Sequence, residues 1–230
     1  MKHNLKLGNT PLIWSSAIGK DGFLKTHHGA NGHDGKTQFP ARSFPLEWTP
    51  IPGAKSYALI FEDFDAGKVI GFPFVHWVVA NIKDTKLDDN QSLLDWKKWE
   101  ESGFKNYSND ILWQGHNSSV SETIVANNKP ENSSLKGILP EGFTSQVFSN
   151  SLLFFGPYPP DDAHLYTVTV YGLDVDANDL KYIKSFESKS LKPTEYKQLN
   201  EPYYIGDLVQ AMDNHIIDVR ILNFKYEQAK

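Results

Sequence analysis

The sequence predicts a mainly β protein, an antiparallel sandwich with a few peripheral helices. Three observations carry this. Apolar, β-branched runs recur at Ser56–Phe61, Val75–Ile82, Leu165–Leu173 and Ile216–Phe224, each of strand length. Aromatic residues make up 13% of the chain, with six Trp and ten Tyr, a composition suited to pleated, half-buried surfaces. Helical spacing is clear only near the C-terminus, where Ile205, Leu208, Val209 and Met212 form a stripe behind Pro202.

The first run is continuous enough in apolar character to be buried on both faces. In the second, period two sets His76, Val78, Ala80 and Ile82 on one face and Val75, Trp77, Val79 and Asn81 on the other. In the third, His164 and Tyr166 share a face with Val168 and Val170, so ring and phenol enter the same space. Residues 19–45 are rich in Gly, His and Asp and read as a long loop. Residues 84–150 read as an elaborated insertion, with one or two helical turns around Leu93–Trp99 and loop composition at Asn127–Ser134. The 230 residues are expected to form a single domain, and no internal repeat is found.

Composition excludes several function classes. The chain has no cysteine, hence no disulfide, thiolate nucleophile or cysteine-bound zinc. With 23 basic against 28 acidic residues and no dense Lys/Arg stripe, nucleic acid is not an expected partner. No segment has the length and apolarity of a membrane span or signal peptide, so the expectation is a cytoplasmic protein. Four Asn-x-Ser sequons, at Asn90, Asn106, Asn117 and Asn132, are then read as composition. There is no Gly-x-Ser-x-Gly elbow, phosphate-binding loop, dinucleotide fingerprint or His-Glu-x-x-His pair.

The candidate chemistry lies at strand mouths. Asp63 and Asp65, two residues apart at a strand end, suit acid–base work near a histidine, or else cap backbone amides in a turn. Taken singly, His76 beside Trp77 in a strand reads more readily as a hydrogen-bonded packing residue than as a ligand contact. His164 with Tyr166 is better evidence, because burying both without a partner costs on the order of 1–3 kcal/mol per group. His27, His28, His33 and Asp34 cluster in the glycine-rich loop and read as solvated residues, not metal ligands. No metal and no cofactor is expected.

Together these segments resemble the phosphatidylethanolamine-binding protein family, also called the Raf kinase inhibitor protein family, in its bacterial branch. Ser43-Phe44-Pro45-Leu46-Glu47-Trp48 resembles its Ser-Pro-x-Leu-x-Trp segment, and Asp63-Phe64-Asp65-Ala66-Gly67 its Asp-Pro-Asp-Ala-Pro motif, without either proline. His76-Trp77-Val78-Val79-Ala80-Asn81 fits the His-Trp-x-Val-x-Asn strand. Gly156-Pro157-Tyr158-Pro159-Pro160 followed by His164-Leu165-Tyr166 fits the Gly-x-x-Pro-Pro…His-x-Tyr motif. The resemblance spans residues 43–224. It implies a sandwich with a small anion pocket walled here by Asp63, His76, Pro159, His164 and Tyr166, with Gly156 beside them, and the C-terminal helix at its mouth, where Tyr203 or Tyr204 would face the ligand.

Two histidines and a phenol can supply three donors to one oxyanion, with Asp63 holding a histidine in its charged form. The expected ligand is phosphate or a phospho-head-group, and because relatives include inhibitors of kinases and serine proteases, the resemblance implies a protein target of that kind. No nucleophile is evident, which favours binding over catalysis. A phosphate-ester hydrolase using the same His/Asp pocket is the second reading, and a carbohydrate-binding sandwich the third.

Overall fold

Five antiparallel strands make the central layer of the protein in a computed structural model, which describes residues 6–7, 10–32, 40–102, 108–120, 151–180 and 203–228. Numbering all strands in chain order, these are β5 (Ser56–Asp63), β6 (Phe74–Ile82), β8 (Trp113–Gly115), β9 (His164–Leu173) and β10 (Ile216–Tyr226), arranged β10-β9-β5-β6-β8. A second sheet, β3-β4-β7, is made of β3 (Ile13–Trp14), β4 (Leu46–Trp48) and β7 (Lys86–Leu87). Strands β1 (Lys6–Leu7) and β2 (Thr10–Pro11) form a separate small ribbon. The expected mainly β, antiparallel class is what the chain adopts.

Both faces of the central sheet are buried, which is why β5 and β6 read as continuous apolar runs. One face carries Leu59, Phe61, Trp77, Val79, Tyr166, Val168, Val170 and Phe224 against Ile13, Leu46, Trp48 and Leu87 of the second sheet. The other carries Ala58, Ile60, Val78 and Ala80 against two helices, through Leu93, Trp96 and Trp99 of one and Leu208 and Met212 of the other. These are α2 (Gln91–Glu101) and α3 (Ile205–Met212); α1 (Gly67–Ile70) is a single turn after β5. Helix α2 is longer than the one or two turns its sequence suggested. Its buried Asp95 accepts from Gln91 Nε2 at 3.0 Å and from the Leu112 amide at 3.0 Å, anchoring the helix to the start of β8.

The alternation expected along β6 breaks twice. Phe61 pairs with Trp77 and Glu62 with Val75, so His76 is an extra residue with no partner on β5. Leu59 pairs with Val79 and Tyr57 with Ile82, which makes a second bulge where Asn81 adopts a left-handed conformation with φ of 60°. Asn81 tolerates this backbone, and its amide donates to the Ile111 carbonyl at 2.8 Å. The bulge turns Ile82 into the core that holds Trp77 and Val79, on the face opposite to Val78 and Ala80. In α3, Leu208, Ala211 and Met212 are buried while Val209 is 52% exposed, so the inward stripe omits Val209.

Within 84–150, β7, α2 and β8 belong to the two sheets and their cover, whereas 103–107 and 121–150, including Asn127–Ser134, lie outside the described residues. Of the sequons, Asn90 sits in a left-handed conformation ahead of α2, and Asn117 is buried with its amide on the Leu153 carbonyl at 2.8 Å. Asn106 and Asn132 lie outside the described residues. Among the described residues no helix is long and apolar enough to cross a membrane.

Candidate functional site

Strands β5, β6 and β9 end side by side, and the loops that leave them enclose a pocket. Its polar walls are Asp63, the last residue of β5, His76 at the first bulge of β6, and His164, the first residue of β9. Ala66, Val69 and Ile70 of the α1 turn form one apolar side; Phe74, Phe155, Tyr158, Pro159 and Pro160 form the rest. The volume is about 40 Å³. A single water needs roughly 10–15 Å³ on this measure, so there is room for a few waters or one small oxyanion.

The bulge gives His76 its place. A residue without a cross-strand partner is re-aimed, and this ring sits between Phe61 at 4.8 Å and Phe74 at 4.7 Å, with Tyr166 edge-on at 5.4 Å. Its Nδ1 lies 2.7 Å from the Phe155 carbonyl oxygen, while the Phe155 amide donates to the His76 carbonyl at 2.9 Å. A carbonyl only accepts, so Nδ1 carries the proton. Burial pushes the His76 pKa down to about 4, partly opposed by the Asp63 charge. At neutral pH the ring is therefore uncharged, and its buried Nε2 is a bare acceptor with no partner among the described residues.

His164 is in the opposite state. Nδ1 donates to Asp63 Oδ2 at 2.7 Å, and Nε2 donates to Asp161 Oδ1 at 2.8 Å. Carboxylates accept from both nitrogens, so the ring is an imidazolium. Burial alone would lower its pKa, but the hydrogen bonds and charges of Asp63 and Asp161 outweigh it and raise the value. The other oxygen of Asp63 accepts the Ala66 amide at 3.0 Å and so starts the turn into α1.

Asp63 and Asp65 do not act as a pair. Asp65 accepts from the Leu165 amide at 3.0 Å and pairs with Lys68 at 2.5 Å, outside the pocket lining. Tyr166 is fully buried behind His76, and its hydroxyl has no hydrogen-bond partner among the described residues. Burial pushes its pKa well up, and the nearby Asp63 carboxylate adds to this. The structure thus brings Asp63, His76, Pro159 and His164 onto one pocket and sets Tyr166 behind it.

Gly156 adjoins the pocket but does not line it. Its amide donates to the Pro40 carbonyl at 2.8 Å, and a Cβ there would stand 2.7 Å from Pro40 Cβ and 2.9 Å from the His28 carbonyl oxygen. It is a close-approach residue that, with the Phe155–His76 bonds, holds the Tyr158–Pro160 segment over the pocket. The Gln228 side chain donates to the Pro159 carbonyl at 2.7 Å from the other side.

The helix at the mouth is not found. Tyr203 is buried with its hydroxyl donating to the Trp113 carbonyl, and Tyr204 lies 4.6 Å from His116. Both tie α3 to β8, the edge strand beyond β6, so neither tyrosine lines the pocket. Of the loop histidines, His27 is exposed as expected, whereas His28 departs from expectation. His28 is buried, with Nδ1 3.3 Å from the Arg42 carbonyl oxygen, and burial together with the His27 charge lowers its pKa to about 4. His33 and Asp34 lie outside the described residues, among which no group of three metal-ligating side chains occurs.

Sequence reasoning missed Asp161 and Phe155. Asp161 stands three residues before His164, a spacing that could have marked it. Phe155 acts through its backbone, which no side-chain pattern records.

Two antiparallel sheets with a pocket at the ends of β5, β6 and β9 define a β-sandwich class, and comparison with known proteins makes it specific. The sequence profile of the phosphatidylethanolamine-binding protein family matches residues 14–227, and the chain belongs to that family. It is 32% identical over 181 residues to the protein YxkA of Bacillus subtilis strain 168, covering 77% of each chain. A phosphatidylethanolamine-binding protein homologue from Chlamydia trachomatis shares the fold with a TM-score of 0.56 at 21% identity, over 94% of this chain and 97% of that one. YbcL of Escherichia coli matches with a TM-score of 0.51 at 18% identity, over 95% and 98%.

Proposed function

We propose that the protein binds a small oxyanion head group, of the phosphate or phosphomonoester type, in the pocket between His76 and His164. The observation that carries this reading is the pairing of an imidazolium with a bare imidazole nitrogen across one small cavity. A protonated oxyanion answers both: its P–O⁻ accepts from His164 and its P–OH donates to His76 Nε2. Charge-assisted bonds of this kind are about twice as strong as neutral ones. The apolar walls exclude water and strengthen them.

Binding is favoured over hydrolysis because a base with a pKa of about 4 is poorly matched to proton abstraction at neutral pH. The aromatic content, which suggested sugar binding, belongs to the core: Trp48, Trp77, Trp96, Trp99 and Trp113 are all buried. Regulation of a kinase or protease would run through the same pocket, by docking a phosphorylated segment of the target.

Isothermal titration with inorganic phosphate and with a phosphomonoester tests the reading. Saturable binding, lost in H164A and in H76F without loss of fold, is the expected result. Turnover of the ester that disappears with H164A would replace binding by hydrolysis. Binding indifferent to both substitutions would remove the pocket from the function.

A further inference from the structure

We infer that Asp161 is an internal competitor for the oxyanion site, a tethered carboxylate that occupies the outward edge of His164 and sets the affinity of every anion that binds there. The inference rests on the reading above.

Only one edge of the His164 ring is open to exchange. Nδ1 is held by Asp63, a side chain 5% exposed, which also anchors the Ala66 amide. Nε2 is held by Asp161, a side chain 53% exposed and bonded to the ring at 2.8 Å. Asp161 follows directly on Pro159 and Pro160, which line the pocket, so it lies at the pocket's rim. An anion that is to accept from Nε2 must take the position of this carboxylate.

The two acids differ in how readily they can yield. Moving Asp63 would strip a buried amide and a buried ring nitrogen of their acceptor. Moving Asp161 breaks its bonds to His164 and to the Asp162 amide, but the carboxylate is half-exposed and water can replace both. Lys68, paired with Asp65 at 2.5 Å, also interacts electrostatically with Asp161 and favours its charge. Tethering gives such a competitor an effective concentration of millimolar order or higher, so a free anion succeeds only when it binds well enough to offset that.

A competitor has a signature that a simple rim contact lacks. Its removal improves all anions of equal charge by the same factor, because the cost of displacement does not depend on what displaces it. A residue touching the ligand would change different ligands by different factors.

The test is titration of wild type, D161A, D161N and H164A with inorganic phosphate and with acetate at about pH 6, where both are chiefly monoanions. D161A should bind both anions more tightly by a common factor of roughly three to ten, the range for a half-exposed charge-assisted pair. D161N, which keeps an acceptor without the charge, should fall between. A ligand-free readout accompanies this: the His164 ring, followed by NMR, should titrate at lower pH in D161A, because one of its two carboxylates is gone.

An unchanged or weakened affinity in D161A, unequal factors for the two anions, or an unmoved His164 titration would each overturn the competitor. If wild type binds phosphate and H164A does not, the anion site stands while the competitor alone falls. If neither wild type nor D161A binds either anion, both fall.

Discussion

Asp63 on β5 and His164 on β9 meet at 2.7 Å although the strand register sets Asp63 opposite Tyr166. The contact is diagonal, one pleat off the direct pair, and it is possible because both residues stand at the ends of their strands. From there each side chain can turn towards the pocket while its backbone remains in the ladder.

This ion pair should be felt in stability. D63A removes the acceptor of both the Ala66 amide and His164 Nδ1, leaving a buried imidazole edge unpaired. Roughly 3 kcal/mol should be lost, the lower end for breaking a buried pair. D63N, which keeps a carbonyl acceptor, should lose less. Urea unfolding at neutral pH measures both, and equal losses would show that charge and hydrogen bond had not been separated.

How much of this was legible in the sequence depends on the range of the interaction. Asp63, His76 and His164 lie in short local patterns at strand mouths, and both their type and their strand could be read. The four long strands were visible for the same reason. The two bulges of β6 were not, because an extra residue at His76 or Asn81 is defined only against the partner strand β5. The Phe155 carbonyl was invisible because any residue supplies one. The position of α3 was misjudged because an amphipathic stripe says that a helix packs, not where. It is the bonds from Tyr203 to Trp113, and from the His116 amide to Tyr203, that fix it beside β8.

Y203F should therefore act on stability alone. It removes the hydroxyl that donates to the Trp113 carbonyl and leaves the ring in place. A loss of about 1 kcal/mol is expected, with phosphate affinity unchanged. Y204A should likewise leave phosphate affinity at the wild-type value. A several-fold change in affinity in either variant would restore the helix to the pocket mouth.

Two glycines near the pocket should respond in opposite directions. At Gly156 a Cβ would press on Pro40, the His28 carbonyl and Gly29, so G156A should destabilise by about 1–3 kcal/mol. At Gly67, the first residue of α1, a Cβ would meet nothing within 4 Å. G67A should be neutral or stabilising by about 0.4–1 kcal/mol, through a less flexible unfolded chain. Thermal unfolding of the two variants side by side decides the matter.

Acid should unfold the protein through its buried neutral histidines. His28 and His76 have pKa values lowered to about 4 and His116 to about 3, in each case chiefly by burial. Unfolded, all three titrate near 6.5. Between 6.5 and about 4 the unfolded chain binds protons that the folded chain does not, so stability falls as pH falls. Each such histidine withdraws about 1.4 kcal/mol per pH unit across that window. His164 has the opposite sign: its raised pKa gives a contribution that is complete below 6.5 and is lost as pH rises through the folded value. The three histidines outweigh His164 and Glu62, whose carboxyl pKa is also raised by burial, so the acid limb is the steeper. Urea midpoints from pH 8 down to 4 should drop with a slope approaching three protons, and H28Q should reduce that slope by about one. A flat profile between pH 6.5 and 4 would mean that these rings are not neutral in the folded protein, and the bare acceptor at His76 would go with them.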